Sequence, residues 1–301
     1  MEDYPKNIIE FRDRFTSESD CILYLKQLRY PSGFSCPNCK GKSFWETKKH
    51  LLKCKNCRKR ISIIAGTIFH GTHKPIRFWF EAMWYITSQK YGTNALGLQR
   101  ILGLGSYHTA WEWLHKLRRV MVYSNRKKLS GVVEIDETMI GGKGHGKRGR
   151  GAEKKTLVVI AVEDKKQGEI KSIGRIRLAV IPNASSKSLL KFISENVEEG
   201  SHIRTDGWKG YNKISKNNYQ HTVLKSNDLI ICHLVASLLK RWLLGTYQGG
   251  VKKKQLGYYL DEYIFRFNRR SSISRGKLFY RIVQQAVATP PVNSKHLKSD
   301  G

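Results

Sequence analysis

Acidic residues are scarce in this 301-residue chain: 24 Asp and Glu stand against 55 Lys and Arg, a net charge of +31. That imbalance points to a polyanionic partner, with nucleic acid first, because basic side chains that displace condensed counterions gain affinity for a phosphate backbone. Long apolar runs are missing as well. Nothing reaches the roughly eighteen residues a membrane-spanning helix needs. The opening Met-Glu-Asp-Tyr-Pro-Lys has neither the basic stretch nor the apolar core of a secretory signal, so a cytoplasmic protein is expected. There is no phosphate loop ending in Gly-Lys-Ser/Thr and no dinucleotide fingerprint, which argues against a nucleotide cofactor. What is present suffices for real cores: 40% hydrophobic residues and 11% aromatics, in a length that suggests two or three domains.

Cysteine is also rare, yet four of the six form two C-x-x-C pairs, Cys36/Cys39 and Cys54/Cys57, separated by fourteen residues. Each pair sets two thiolates about one tetrahedral position, and two pairs complete a closed structural zinc site. Disulfides or redox C-x-x-C turns are the alternatives, the former disfavoured without a secretion signal. The interval suits a β-hairpin, as in a zinc ribbon. Lys40, Lys42, Lys48, Lys49, Lys53, Lys55, Arg58, Lys59 and Arg60 make the module basic, so contact with DNA is expected of it. Cys21 and Cys232 have no partner motif and read as buried apolar residues.

Residues 1–30 read as an N-terminal helical segment and 31–70 as the zinc ribbon. Residues 71–128 form a helical region with helix–turn–helix character. Its two helices meet at Gly103-Leu104-Gly105, with Thr93 and Ser106 as N-caps. The second helix carries Tyr107, His108, Lys116, Arg118 and Arg119, a composition suited to a groove and to phosphates. From 129 to 290 the pattern changes to α/β. Val132–Asp136, Leu157–Val162 and Ile173–Ile181 are β-branched runs, followed by a helix over 185–197, a strand over 201–205 and helices over 232–244 and 254–267. That order predicts a ribonuclease H-like domain, a mixed sheet flanked by helices. The Gly/basic stretch 141–151 reads as a mobile phosphate-contacting loop, and 291–301 as a disordered tail.

In so basic a chain, acids at strand ends stand out. Alternation puts Glu134 and Asp136 on one side of their strand, opposite Val133 and Ile135. Asp206 closes the strand His202–Thr205. On neighbouring strands the two aspartates would meet at one site for hard divalent cations, the pairing that phosphodiester chemistry uses.

The runs Glu134-Ile135-Asp136-Glu137-Thr138, Asp206-Gly207-Trp208-Lys209-Gly210-Tyr211 and Val235–Thr246 carry a resemblance. Gly66–His70 and Phe265–Arg270 add to it. Together they resemble bacterial insertion-sequence transposases with an N-terminal zinc ribbon and a ribonuclease H-like DDE-type catalytic domain of the ISXO group. The resemblance implies an enzyme that binds terminal inverted repeats and target DNA, cuts strands and joins the freed 3′-hydroxyl by a two-metal mechanism. It implies Mg²⁺ or Mn²⁺ held by Asp136, Asp206 and His233, structural zinc on the four cysteines, Lys240 on transposon-end phosphate, a homo-oligomeric active complex and a place on the bacterial nucleoid. His233 takes the position where such enzymes generally carry Glu, seven residues before the basic Lys240; imidazole suits Mn²⁺ better than Mg²⁺. Glu134 and Glu137 flank the site. Leu234 and Tyr247 stand where Arg and His are usual. The alternative is a zinc-ribbon DNA-binding protein, or a decayed transposase, without catalysis.

Overall fold

The computed structural model describes residues 2–47, 50–122, 126–141, 155–167, 170–293 and 297. The Gly/basic loop from 142 onward, Lys48, Lys49 and most of the expected tail lie outside them. The chain divides into two compact units, one of Met1–Tyr123 with Ser272–Lys298, the other of Ser124–Ser271 with Ser299–Gly301.

In the first unit, α1 (Ile8–Arg14) and α2 (Glu18–Arg29) start at Asn7 and Ser17, whose side chains accept N–H groups of the first turn. The ribbon follows as three short antiparallel strands, β1 (Phe44–Glu46), β2 (Leu51–Cys54) and β3 (Arg60–Ser62). Three helices come next: α3 (Ile76–Ser88), α4 (Ala95–Leu102) and α5 (Tyr107–Val120). Asn94, rather than Thr93, caps α4: its Oδ1 accepts the Gly97 N–H at 2.8 Å while Thr93 is buried beneath. Ser106 caps α5 as expected. Gly103 sits between α4 and α5 at φ +59°, the left-handed turn that glycine makes without strain. The last helix, α9 (Arg275–Ala288), belongs by its contacts to this unit, although the chain reaches it after the second. Its Phe279 meets Phe11, Phe80 and Trp84 edge-on in one aromatic core.

Helix α5 corrects one expectation. Arg118 is 1% exposed and lies 3.5 Å from the buried His115, so it cannot serve phosphates; Tyr107, His108 and Arg119 keep their exposure. Burial, and then the Arg118 charge, pull the His115 imidazole down to about 2. An unfolded histidine takes its proton near about 6.5, so the neutral folded form is favoured above that pH and loses stability as pH falls through and below it. We expect His115→Leu to flatten the pH dependence of urea unfolding between about pH 6.5 and 4. An unchanged slope would contradict this reading.

The second unit is a five-stranded sheet in the order β6-β5-β4-β7-β8. Strand β4 (Val132–Ile140) pairs antiparallel with β5 (Thr156–Gln167), which pairs antiparallel with β6 (Ile170–Val180). On its other side β4 runs parallel to β7 (His202–Thr205), and β7 parallel to β8 (Gln220–Val223). Both faces are covered. Val158, Ile160 and Val162 point to α7 (Ile230–Tyr247) and α8 (Leu256–Phe267), whereas Val159 and Ala161 point to α6 (Ser186–Asn196). This is the mixed α/β sheet expected from the order of elements. The outer edge of β6 is closed by a side chain: Asn268 accepts the Ile176 N–H at 2.7 Å and donates to its carbonyl at 3.2 Å, standing in for a further strand. Among the described residues, no helix is long and apolar enough to cross a membrane.

Candidate active site

Strands β4 and β7 place the two aspartates. Their register pairs Val132 with His202 and Glu134 with Arg204; continued by two residues, it sets Asp136 beside Asp206. Asp136 lies mid-strand, where burial pushes its carboxyl up from the usual range, the Glu137 N–H at 2.8 Å offsets part of that, and the Asp206 charge raises it further. Asp206 follows the last residue of β7 and accepts the Trp208 N–H at 3.1 Å, an Asx turn that orients the carboxylate.

Helix α7 brings the third group. His233 Nε2 lies 3.2 Å from Asp136 Oδ2. Lys240, seven residues on, shares that face about two turns farther along and is exposed. The helix has no side-chain cap of its own. Instead Glu134, buried on β4, accepts the N–H groups of Ile231 and Cys232 at 3.2 Å each. The strand bearing Asp136 therefore grips the turn bearing His233. Burial keeps the Glu134 carboxyl above its usual range. Glu137 points to the opposite face and accepts the hydroxyl of the fully buried Tyr211 at 2.8 Å. Neither glutamate role follows from alternation alone; the Asp206–Tyr211 block held the one visible hint of Tyr211.

Asp136 and His233 touch, while Asp136, Asp206 and His233 do not close together as a set: among the described residues, only the four cysteines bring three or more metal-binding side chains within 4.8 Å of one another. The donor set, two carboxylates and an imidazole, nonetheless suits Mn²⁺ or Mg²⁺. Asp136, a half-buried carboxyl raised chiefly by burial and further by the Asp206 charge, stands where a cation would offset that cost.

The zinc ribbon is the tighter centre. Cys36 and Cys57 sulfurs lie 3.6 Å apart, and those of Cys39 and Cys54 3.5 Å. A tetrahedron with Zn–S bonds of about 2.3 Å has edges of about 3.8 Å. Backbone amides are aimed at the sulfurs: the Lys59 N–H, above all, pulls the Cys57 thiol down to about 6, and those of Cys39 and Asn38 lower Cys36. Cys39 is instead raised to about 11, the Gly41 N–H that lowers it being outweighed by the neighbouring sulfurs and burial; a metal ion among the four sulfurs would relieve that crowding, as a structural zinc does. On the outer face Arg58 and Lys55 lie over the exposed Trp45 ring at 4.8 and 5.5 Å. Cys21 and Cys232 are buried, as expected.

A family model of the ISXO2-like transposase domain matches residues 128–268. A second, of the transposase zinc-ribbon domain, matches 16–60. The chain carries an ISXO2-like transposase domain behind a transposase zinc ribbon. The transposase domain matches the second unit almost end to end, and within it lie Asp136, Asp206, His233 and Lys240. A curated relative from Halobacterium salinarum is 26% identical over 282 residues, 84% of this chain and 91% of that protein, and is described as an uncharacterized protein in transposable element ISH50.

Proposed function

We infer that the chain is the transposase of an insertion sequence, binding the element's terminal inverted repeats and cutting and rejoining strands there. The carrying observation is the contact of His233 with Asp136, beside Asp206, inside a transposase domain. Asp136, Asp206 and His233 hold the divalent cations, which when bound polarise the attacking and leaving oxygens of a phosphodiester. The chain's own residues do the rest. Glu134 fixes the start of α7 so that His233 stays on Asp136, the Asp206 turn fixes the second carboxylate, and Lys240 offers a point charge to phosphate on the same helix face. Water attacks first; the freed 3′-hydroxyl then attacks target DNA in line, with no covalent protein intermediate and no nucleoside triphosphate. The ribbon and the α4–α5 pair read the ends. Two ends must meet, so the active complex is a homo-oligomer, acting on the nucleoid in the cytoplasm.

The test uses duplexes copied from the DNA flanking the gene, either intact or pre-cut to expose a 3′ end, with Mn²⁺ and a supercoiled target. Transfer products are expected from 3′-hydroxyl ends and none from 3′-deoxy ends. Cleavage without transfer would make the protein a nuclease; binding alone would make it a DNA-binding protein. His233 gives a second check. His233→Glu is expected to keep or raise Mg²⁺-dependent activity, and His233→Ala to lose at least about tenfold, roughly the worth of one ligand contact. An indifferent Ala variant would remove His233 from the metal site.

A further inference from the structure

The sheet of the zinc ribbon has two unlike faces. Its register sets Phe44 opposite Cys54, and Glu46, Leu52 and Ile61 in one row. That face turns to α2, whose Lys26 pairs with Glu46 and sits over the Phe44 ring. Alternation sends Trp45, Lys53 and Arg60 to the other face, one from each strand and directly opposite one another. Trp45 is 43% exposed there, Arg60 is exposed, and no acid stands in the row.

Arg58 is the cation that this face holds in place. It follows the Cys54–Cys57 turn between β2 and β3, with φ +61° and its N–H donating to the Cys54 carbonyl at 3.1 Å. From there its guanidinium lies over the Trp45 ring, 4.8 Å from the centroid, with the Lys55 ammonium at 5.5 Å. A guanidinium stacked on an indole loses rotamer freedom but keeps its N–H edge for an acceptor. Among the described residues no carboxylate pairs with Arg58 or Lys55. An exposed arginine ordered in advance, with no acid to hold, is prepared for an acceptor from outside the chain.

We propose that the β2–β3 hairpin tip enters the major groove at the element's end, and that Arg58, steadied by Trp45, reads one guanine there by donating to its O6 and N7. Lys53, Lys55 and Arg60 lie along the neighbouring phosphates. The proposal rests on the reading that the ribbon binds the terminal repeats. A two-stranded β-ribbon fits the roughly 12 Å groove, and the guanidinium fork matches the paired O6 and N7 acceptors that guanine alone presents. Trp45 is a positioning residue: it gives the base no hydrogen bond and acts by fixing the plane of the fork. Phosphate contacts hold the ribbon on any DNA, whereas this contact tells one register from another.

The test measures binding of the full chain, purified without chelator, to duplexes copied from the DNA flanking the gene, with guanines replaced one at a time by 7-deazaguanine. That base still pairs but has lost N7. At one guanine the replacement is expected to weaken wild-type binding about tenfold. Arg58→Ala binds the unmodified duplex about tenfold more weakly and is indifferent to that replacement, and Trp45→Ala keeps only part of the sensitivity. Lys55→Ala instead weakens every duplex alike, lowers the salt slope by about one and keeps the full sensitivity. Equal affinity of Arg58→Ala and Lys55→Ala for a scrambled duplex checks that both are folded. Full sensitivity in Arg58→Ala, or a wild type indifferent at every guanine, overturns the proposal; so does tighter binding to a single strand than to the duplex, which would give the Trp45 ring to an unpaired base. If Arg58→Ala still prefers the end to the scrambled duplex as strongly as wild type does, the guanine contact alone falls. If wild type binds the two duplexes alike, end recognition itself falls and the proposal with it.

Discussion

Asp136→Asn is expected to lower strand cleavage and strand transfer by at least about a thousandfold, with affinity for the element's ends held within about threefold. A thousandfold is about 4 kcal/mol of transition-state stabilisation, a reasonable share for a carboxylate that positions a cation on a developing oxyanion. The substitution keeps the shape of the side chain, and its amide oxygen can still accept the Glu137 N–H that Asp136 accepts at 2.8 Å. It removes the charge that faces both His233 and Asp206. It leaves alone the grip of Glu134 on the first turn of α7. The fold should therefore survive, and in the absence of metal the variant should be at least as stable as wild type, because a buried charge beside a like charge is lost. The measurement is single-turnover cleavage in Mn²⁺, with thermal melting and end binding alongside. Residual activity within tenfold of wild type would place the chemistry elsewhere in the chain.

How far the sequence reached can be judged from particular residues. Asp136 and Asp206 were legible because a β-branched strand and a scarce charge coincide there, and the sheet register joins them. His233 was not legible as a partner of Asp136 from spacing: 97 residues separate them, and the contact exists because helix α7 packs back across β4. Glu134 shows the same limit. Alternation put it on the Asp136 side but could not say that its carboxylate would cap a helix nearly a hundred residues later. Strand β8, Gln220–Val223, gave no signal, since a polar edge strand with three exposed residues has no apolar alternation. Arg118 misled for the opposite reason: composition reads a cation as surface, while this one is packed against His115 inside the helical core. The cysteine pairs were the most legible of all, because metal geometry imposes spacing on the sequence directly.

That geometry sets the other large effect. Removing zinc, by chelation or by Cys54→Ala, is expected to unfold the ribbon while the helical part of the same unit stays folded. The ribbon's strands hold three or four residues each, and its buried apolar groups are few, chiefly Phe34, Leu52, Ile61 and Ile63. Such a sheet cannot offset its chain entropy alone. A structural zinc contributes on the order of 10 kcal/mol, more than the ribbon can supply otherwise. The helices do not depend on it in this way: Phe11, Phe80, Trp84 and Phe279 form their own core, and Trp79 stacks on Trp113 at 4.0 Å. Ribbon and helix are joined by Arg29 donating to the Ser62, Ile63 and Ala65 carbonyls, by Lys26 paired with Glu46 at 2.6 Å and by the Tyr30–Phe34 ring pair. Those contacts would be lost with the ribbon, not hold it. Elemental analysis should find one zinc per chain, amide exchange in β2 should become fast in chelator while exchange in α3 and α9 stays slow, and affinity for DNA should fall by at least about tenfold as the basic ribbon loses its shape. Protein purified without chelator and found free of zinc, with β2 still protected, would return the four cysteines to some other use.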